Sequence, residues 1–185
     1  MTLTKLLKDR SLSNSHMNRV KFISIIFFMI LFSCNNQTDL KKIENDYNKK
    51  IETFIETCWN KKDLSEIENI FADDFTRIVN NINVASNPQE LEAIMNVYFT
   101  GFPDLSIAIN NSFIKDNKIF FNWTLTGTNT GEFGEVKATG KKVKLTGFAT
   151  IVFNDEGKIF HEDVCYNDLD FLQQLGYTLS PPIVE

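Results

Sequence analysis

The chain has 185 residues, 43% of them hydrophobic, with 17 Phe, and a formal net charge of −5. Five bases and one acid precede Cys34, so the chain from Cys34 onward carries 14 Lys and Arg against 23 Asp and Glu, a net −9. A surface this acidic is repelled by phosphate backbones, and no basic stripe interleaved with aromatics is present, which argues against a nucleic-acid partner; two His, one of them at position 16, leave zinc poorly served.

The N-terminus sets the expected compartment. Asn18-Arg19-Val20-Lys21 is basic, and Phe22 to Phe32 is apolar apart from Ser24. That run is too short for a permanent membrane helix, which needs about 20 residues. A basic flank, a short apolar core and a small residue before the cut are instead the pattern of a secretory signal. Leu31-Phe32-Ser33-Cys34 resembles a bacterial lipobox, which implies lipidation of Cys34 and a membrane-anchored lipoprotein of the bacterial cell envelope, facing the periplasm or the exterior. An ordinary signal followed by a free Cys, or an uncleaved anchor, is the alternative. Met17 begins the signal, so residues 1–16 are set aside. The expected organisation is an extension and signal at 1–33, a polar tether at 34–39, one domain at 40–178 and a tail at 179–185. About 150 residues suit one domain with a substantial core.

From Leu40 to Asn60, Ile43, Tyr47, Ile51, Phe54, Ile55, Cys58 and Trp59 recur at steps of three and four, the stripe of a core-facing helix. Asp63 is placed to cap a second helix through Phe71, with Glu66 completing a capping box. Phe75 to Val79 is a candidate short strand. Asn87-Pro88 opens a third helix through Leu91, Ile94, Met95 and Tyr98, ended by Gly101 and Pro103. Asp104 then organises the turn into the first long strand.

Beyond Pro103 the period becomes two. Leu105, Ile107 and Ile109 alternate, Asp116-Asn117 turns the chain into a strand over Lys118 to Thr128, and Val143 to Phe153 alternates again. The turn at Asn154 to Gly157 leads to a last strand, Ile159 to Tyr166. Three helices followed by a meander of four antiparallel strands is an α+β pattern. Of the remaining thiols, Cys58 lies on the first helix and Cys165 on the last strand. An export compartment permits them to pair, and two separate buried thiols are the alternative.

Four segments fall in one order: Gly101-Phe102-Pro103-Asp104-Leu105, Trp123-Thr124-Leu125-Thr126-Gly127-Thr128-Asn129-Thr130-Gly131-Glu132-Phe133, Gly157-Lys158-Ile159 and Leu172-Gln173-Gln174-Leu175-Gly176. Their order and spacing, from Asp46 to Gly176, resemble the SnoaL-like polyketide cyclase (ester cyclase) family of the nuclear-transport-factor-2-like superfamily. The resemblance implies a cone-shaped α+β barrel: three N-terminal helices on a curved four-stranded antiparallel sheet, a short C-terminal helix and an apolar pocket. It also implies a polycyclic or otherwise apolar carbonyl ligand, a pocket Asp that exchanges a proton beside the carbonyl, and no metal or redox cofactor. The position where that Asp is usual holds Asn167, and the slot where His is frequent holds Asn129. Neither amide exchanges a proton.

Other residues on the last strand offer replacements. Period two puts His161, Asp163, Cys165 and Asn167 on one face and Phe160, Glu162, Val164 and Tyr166 on the other. Either His161 and Asp163 face the pocket as a proton-exchanging pair, with Asn167 as a hydrogen-bonding amide, or that polar face is solvated and Phe160, Val164 and Tyr166 pack inward. Asp168 is a further candidate base, or the cap of a terminal helix. Tyr98 and Trp123 are candidate pocket walls or plain core, Asn129 is a candidate ligand contact or part of a strand end and turn, and Glu132 is a candidate contact at the pocket mouth or an exposed turn carboxylate. Both usual proton carriers are replaced, so the expected function is binding of a small apolar, carbonyl-containing molecule; the alternative is a cofactor-free cyclase or isomerase. Phe148 and Val152, alternating opposite the presumed core face, suggest pairing of the sheet into a homodimer.

Overall fold

The computed structural model describes residues 41–135 and 137–181. The expected signal, Cys34 and the tether lie outside the described residues. The chain divides into two compact units, up to Asn45 and from Asp46 onward. Among the described residues, the second unit holds every strand and the helices that pack on them.

The first helix of this unit, α1, runs from residue 46 to 60 and widens into a π turn over its last seven residues, Phe54–Asn60. Its buried stripe is Tyr47, Ile51, Phe54, Ile55, Cys58 and Trp59. The extra residue per turn brings Phe54 and Trp59, five apart, onto one face, where their rings meet edge to face at 6.3 Å. Asn60 then fastens the helix end, accepting from Ile107 N at 2.7 Å and donating to Ile107 O at 3.0 Å.

The second helix is shorter than its sequence suggests. Asp63 caps only a turn, accepting from Ser65 N at 3.0 Å, and α2 spans just Ile67–Ile70. Phe71, expected to end that helix, instead begins strand β1 (Phe71–Val79), where Phe71, Ala72 and Phe75 are buried. An Asn80-Asn81 turn with both residues at positive φ leads to β2 (Ile82–Ala85). Helix α3 (Pro88–Gly101) begins as expected, with Asn87 accepting from Glu90 N at 2.9 Å.

The meander continues as β3 (Ser106–Lys115), β4 (Lys118–Thr128), β5 (Lys142–Phe153) and β6 (Ile159–Tyr166), and α4 (Asp168–Leu175) closes the fold. The sheet order is β2-β1-β6-β5-β4-β3, with β1 and β6 parallel and every other pairing antiparallel. The α+β class with a curved sheet is therefore as expected, with six strands instead of four. The strand expected at Phe75 to Val79 is present and begins four residues earlier, at Phe71, while β2 is the addition: across residues 71–85 the apolar positions hold neither period for long. Pairing with β6, some 85 residues away, decides the matter.

Inward residues of β4 (Ile119, Phe121, Trp123, Leu125) and β5 (Val143, Leu145, Ala149, Ile151) meet α1 and α3 in one core. Tyr47 stacks on Phe153 at 3.8 Å, so the helix is fixed to the far end of β5 as well. Among the described residues no helix is long and apolar enough to cross a membrane. Cys58 is buried and Cys165 exposed, and both are free thiols. Burial, together with Asp63, Glu66 and Glu92, pushes the Cys58 thiol up to about 11.

Candidate ligand-binding site

Between the helices and the concave face of the sheet lies a cavity of about 50 Å³, walled by Phe54, Ile55 and Trp59 of α1, Tyr98 of α3, Phe121, Trp123 and Leu125 of β4, Leu145 and Ala149 of β5, and Val164 and Tyr166 of β6. Its only charged lining groups are Arg77 and Glu162. The parallel register pairs these two residues across β1 and β6, and Arg77 Nη1 donates to Glu162 Oε2 at 2.6 Å.

This ion pair sits among apolar groups. Glu162 is 3% exposed, and the Arg77 guanidinium lies 5.8 Å over the Trp59 ring, a cation–π contact. Desolvation raises the Glu162 pKa above the ordinary carboxylate range, and Arg77 opposes but does not cancel that rise. Arg77 Nε is buried without an acceptor among the described residues. A second polar feature is the pair of phenols, Tyr98 and Tyr166, whose oxygens stand 3.4 Å apart. Burial raises the Tyr166 pKa, aided by Tyr98 and Asp168, so the phenol stays protonated and able to donate.

The backbone shapes this site through one glycine. Gly147 of β5 stands between Trp123 and Tyr166 in the sheet register. A Cβ there would lie 2.7 Å from Trp123 Cε2 and 2.5 Å from the Cys165 carbonyl oxygen. Its absence lets the indole lie across the strand and reach Tyr166, with ring centroids 5.9 Å apart.

The residues singled out from the sequence are distributed unevenly around this cavity. Tyr98 and Trp123 line it. His161 and Asp163 are on the outer face of β6: His161 Nδ1 meets Thr76 Oγ1 at 2.7 Å and His161 Nε2 meets Asp163 Oδ2 at 3.0 Å, away from the cavity. The inward face is the one carrying Glu162, Val164 and Tyr166, because two of those three are apolar or aromatic and the sheet packs by that majority. Asn167 is exposed and caps α4, accepting from Asp170 N at 3.0 Å, a part that was open to Asp168. Asp168 itself accepts from Asn80 Nδ2 at 2.6 Å.

Asn129 is fully buried outside the cavity. Its Nδ2 donates to Gly101 O at 3.2 Å and Gly131 O at 2.9 Å, and its Oδ1 accepts from Thr139 N and Oγ1, each at 2.9 Å, so it ties the β4–β5 connection to the end of α3. Glu132 is exposed. Arg77 and Glu162 were not anticipated, although a signal existed: Glu162 is the one carboxylate on an otherwise apolar strand face. Val152, expected outside, is 8% exposed, whereas Phe148 at 69% and Phe113 at 61% are open on the outer face. Among the described residues no group of three or more His, Cys, Asp or Glu is arranged to hold a metal.

A model of the SnoaL-like polyketide cyclase family matches residues 49–175. No curated protein matches the chain in sequence. Among solved structures, AclR, a candidate hydroxylase of Streptomyces galilaeus, is similar at 24% identity and TM-score 0.64, over 75% of this chain and 85% of that one. A candidate SnoaL-like polyketide cyclase from Jannaschia sp. CCS1 is similar at 19% identity and TM-score 0.65, over 75% and 94%. IdmH of Streptomyces antibioticus, a candidate polyketide cyclase, is similar at 18% identity and TM-score 0.61, over 71% and 99%.

Proposed function

Given that the chain belongs to the SnoaL-like polyketide cyclase family, we propose that its cavity binds a small apolar, carbonyl-containing molecule. The observation that carries this reading is an aromatic cavity in which one buried ion pair and two phenols are the only strongly polar groups. Apolar walls with a few convergent polar groups are the usual form of a small-molecule site. About 50 Å³ is well below the ~300–1,000 Å³ typical of drug-sized ligands. The ligand is accordingly a compact one, and a polycyclic compound would require the walls to part. Native followed by denaturing mass spectrometry of the purified protein tests the reading. A co-purifying small molecule, lost on Trp123→Asp, is expected, and failure of any apolar carbonyl compound to bind would reject it.

The second reading is a cofactor-free cyclase or isomerase. Glu162 favours it, because a carboxylate held in apolar surroundings with a raised pKa is a usable base near neutral pH. Its measure is solvent-deuterium exchange at the carbon next to a bound ketone, abolished by Glu162→Gln.

The sequence upstream supports an envelope location for this domain, tethered through lipid on Cys34. Incorporation of labelled palmitate, lost on Cys34→Ala, is the outcome expected. The outer sheet face carries a shallow groove of about 450 Å³ lined in part by Phe113, Phe120 and Phe148, which supports pairing of two copies there. A sedimentation experiment showing only monomer at micromolar concentration would remove that part of the reading.

A further inference from the structure

We infer that the cavity takes a small apolar monocarboxylate, which docks on Arg77 in place of Glu162 while Glu162 takes up a proton. This rests on the cavity being a ligand site and narrows its ligand to one chemical class.

The geometry of Arg77 points to it. A guanidinium has five N–H donors in a planar fork, and among the described residues this one makes a single hydrogen bond, Nη1 to Glu162 Oε2 at 2.6 Å. Nε, on the edge that a carboxylate fills bidentately with two parallel bonds, is buried and has no acceptor. A buried donor left unpaired is costly, so the fork is complementary to a group that the folded chain does not itself supply. A neutral carbonyl would engage one N–H; a carboxylate engages two.

Charge balance supplies the proton. With Glu162 ionised the pair is neutral, and a second carboxylate would leave a net negative charge in an apolar cavity. Protonation of Glu162 frees the guanidinium, and the ligand replaces it as counter-ion. The groups around Glu162 permit this. Arg77 faces it from β1, His161 and Asp163 flank it on the opposite face of β6, and Tyr98 of α3 and Tyr166 of its own strand share the cavity with it. From α1 and β5 come only Phe54, Ile55, Trp59, Leu145 and Ala149, none of which competes for the proton. The apolar body of the ligand would rest against Trp59, Phe121 and Trp123.

The test is calorimetric titration of the full chain with isobutyrate and with isobutyramide, which has nearly the same shape and no charge. It is run from about pH 5 to about pH 8, in two buffers of different ionisation enthalpy. Isobutyrate is expected to bind with uptake of close to one proton, its affinity falling about tenfold per pH unit above the Glu162 titration, and isobutyramide to bind at least about tenfold more weakly. Glu162→Gln leaves Arg77 permanently available, so isobutyrate should bind that variant without pH dependence over the same range and raise its Tm. Arg77→Lys keeps the charge and removes the fork; at least about a tenfold loss for isobutyrate, with pH dependence retained, is expected. Equal affinity for the two probes, pH dependence persisting in Glu162→Gln, or unchanged affinity in Arg77→Lys would overturn the inference while leaving the cavity as a neutral-ligand site. Binding of neither probe to the native chain would overturn the inference, and the cavity reading falls with it only if no neutral apolar ketone binds either.

Discussion

The indole of Trp123 occupies the space in which residue 147 would carry its side chain. A Cβ on Gly147 would stand 2.7 Å from Trp123 Cε2, closer still to Cζ2, and 2.5 Å from the carbonyl oxygen of Cys165. The β6 backbone is held in the sheet, so relief requires the indole, which meets Tyr166 edge to face, to swing toward the cavity it lines. Gly147→Ala should therefore cost about 1–3 kcal/mol, the range for overpacking a close-packed core. Urea unfolding measures the cost. A shift in tryptophan emission would show the indole displaced, and an unchanged spectrum with wild-type stability would mean that the ring is less constrained than its neighbours imply.

Arg77 and Glu162 are exposed to the same logic of burial. Removing one partner strands a charge in an apolar site, at about 3–5 kcal/mol, whereas replacing both by apolar residues of similar volume is often neutral or better. Arg77→Met should be severely destabilised, and Arg77→Met with Glu162→Leu should recover most of the loss. A double-mutant cycle in urea gives the coupling directly.

The pH dependence of stability has two limbs of opposite sign. Glu162 has a folded-state pKa raised by burial, so between its unfolded and folded values the native state holds more protons. Its favourable contribution is complete below the ordinary carboxylate range and is lost as pH rises through the raised value. Asp104 runs the other way. Hydrogen bonds from Thr128 Oγ1 and Thr128 N, both at 2.6 Å, hold its carboxyl below the usual range. What it contributes is present above the unfolded pKa and lost as pH falls through the folded one. Melting curves of Asp104→Asn against the native chain should converge at acid pH and separate toward neutrality, while those of Glu162→Gln should show a flatter alkaline limb.

Asn129 holds four side-chain hydrogen bonds at a site closed to water. Asn129→Ala removes all four bonds; the Gly101 carbonyl keeps the Gly131 N–H, whereas the Gly131 carbonyl and the Thr139 N–H lose their partner, at about 1–3 kcal/mol for a buried group stranded. A loss of about 3 kcal/mol is expected by thermal or urea unfolding. Asn129→His tests the residue that the family resemblance implies at this slot; here the larger ring should be no better tolerated than Ala.

His161→Ala with Asp163→Ala removes the polar pair that strand periodicity alone left open to the pocket. Because both side chains are on the outer face and partly exposed, stability should change by less than about 1 kcal/mol. Affinity for any cavity ligand should be unaffected. Loss of binding in this variant, with Glu162→Gln unaffected, would place the working face of β6 on its other side.

Local patterning by itself determined much of this protein. The three- and four-residue spacing from Tyr47 to Trp59, the Asn87-Pro88 helix start and the period-two runs of β3 to β6 are interactions between near neighbours, and each is present in the structure. The motifs from Gly101 to Gly176 carried the family for the same reason: they are helix ends, turns and a strand segment whose geometry is fixed within a few residues. Tyr98 and Trp123 line the cavity, and their places on periodic apolar runs had made them candidates for either its walls or the plain core. What tertiary structure alone decided was whatever depended on pairing distant segments. The candidate strand at Phe75 to Val79 extended back to Phe71 and gained β2 on one side and a parallel partner, β6, on the other, and that same register set Arg77 beside Glu162 across 85 positions. The inward face of β6 was undetermined locally, since period two gives two faces without saying which is buried. Packing against α1 and α3 chose the face with Val164 and Tyr166, and in doing so carried one carboxylate, Glu162, into the apolar interior, where only a guanidinium brought by another strand could accompany it.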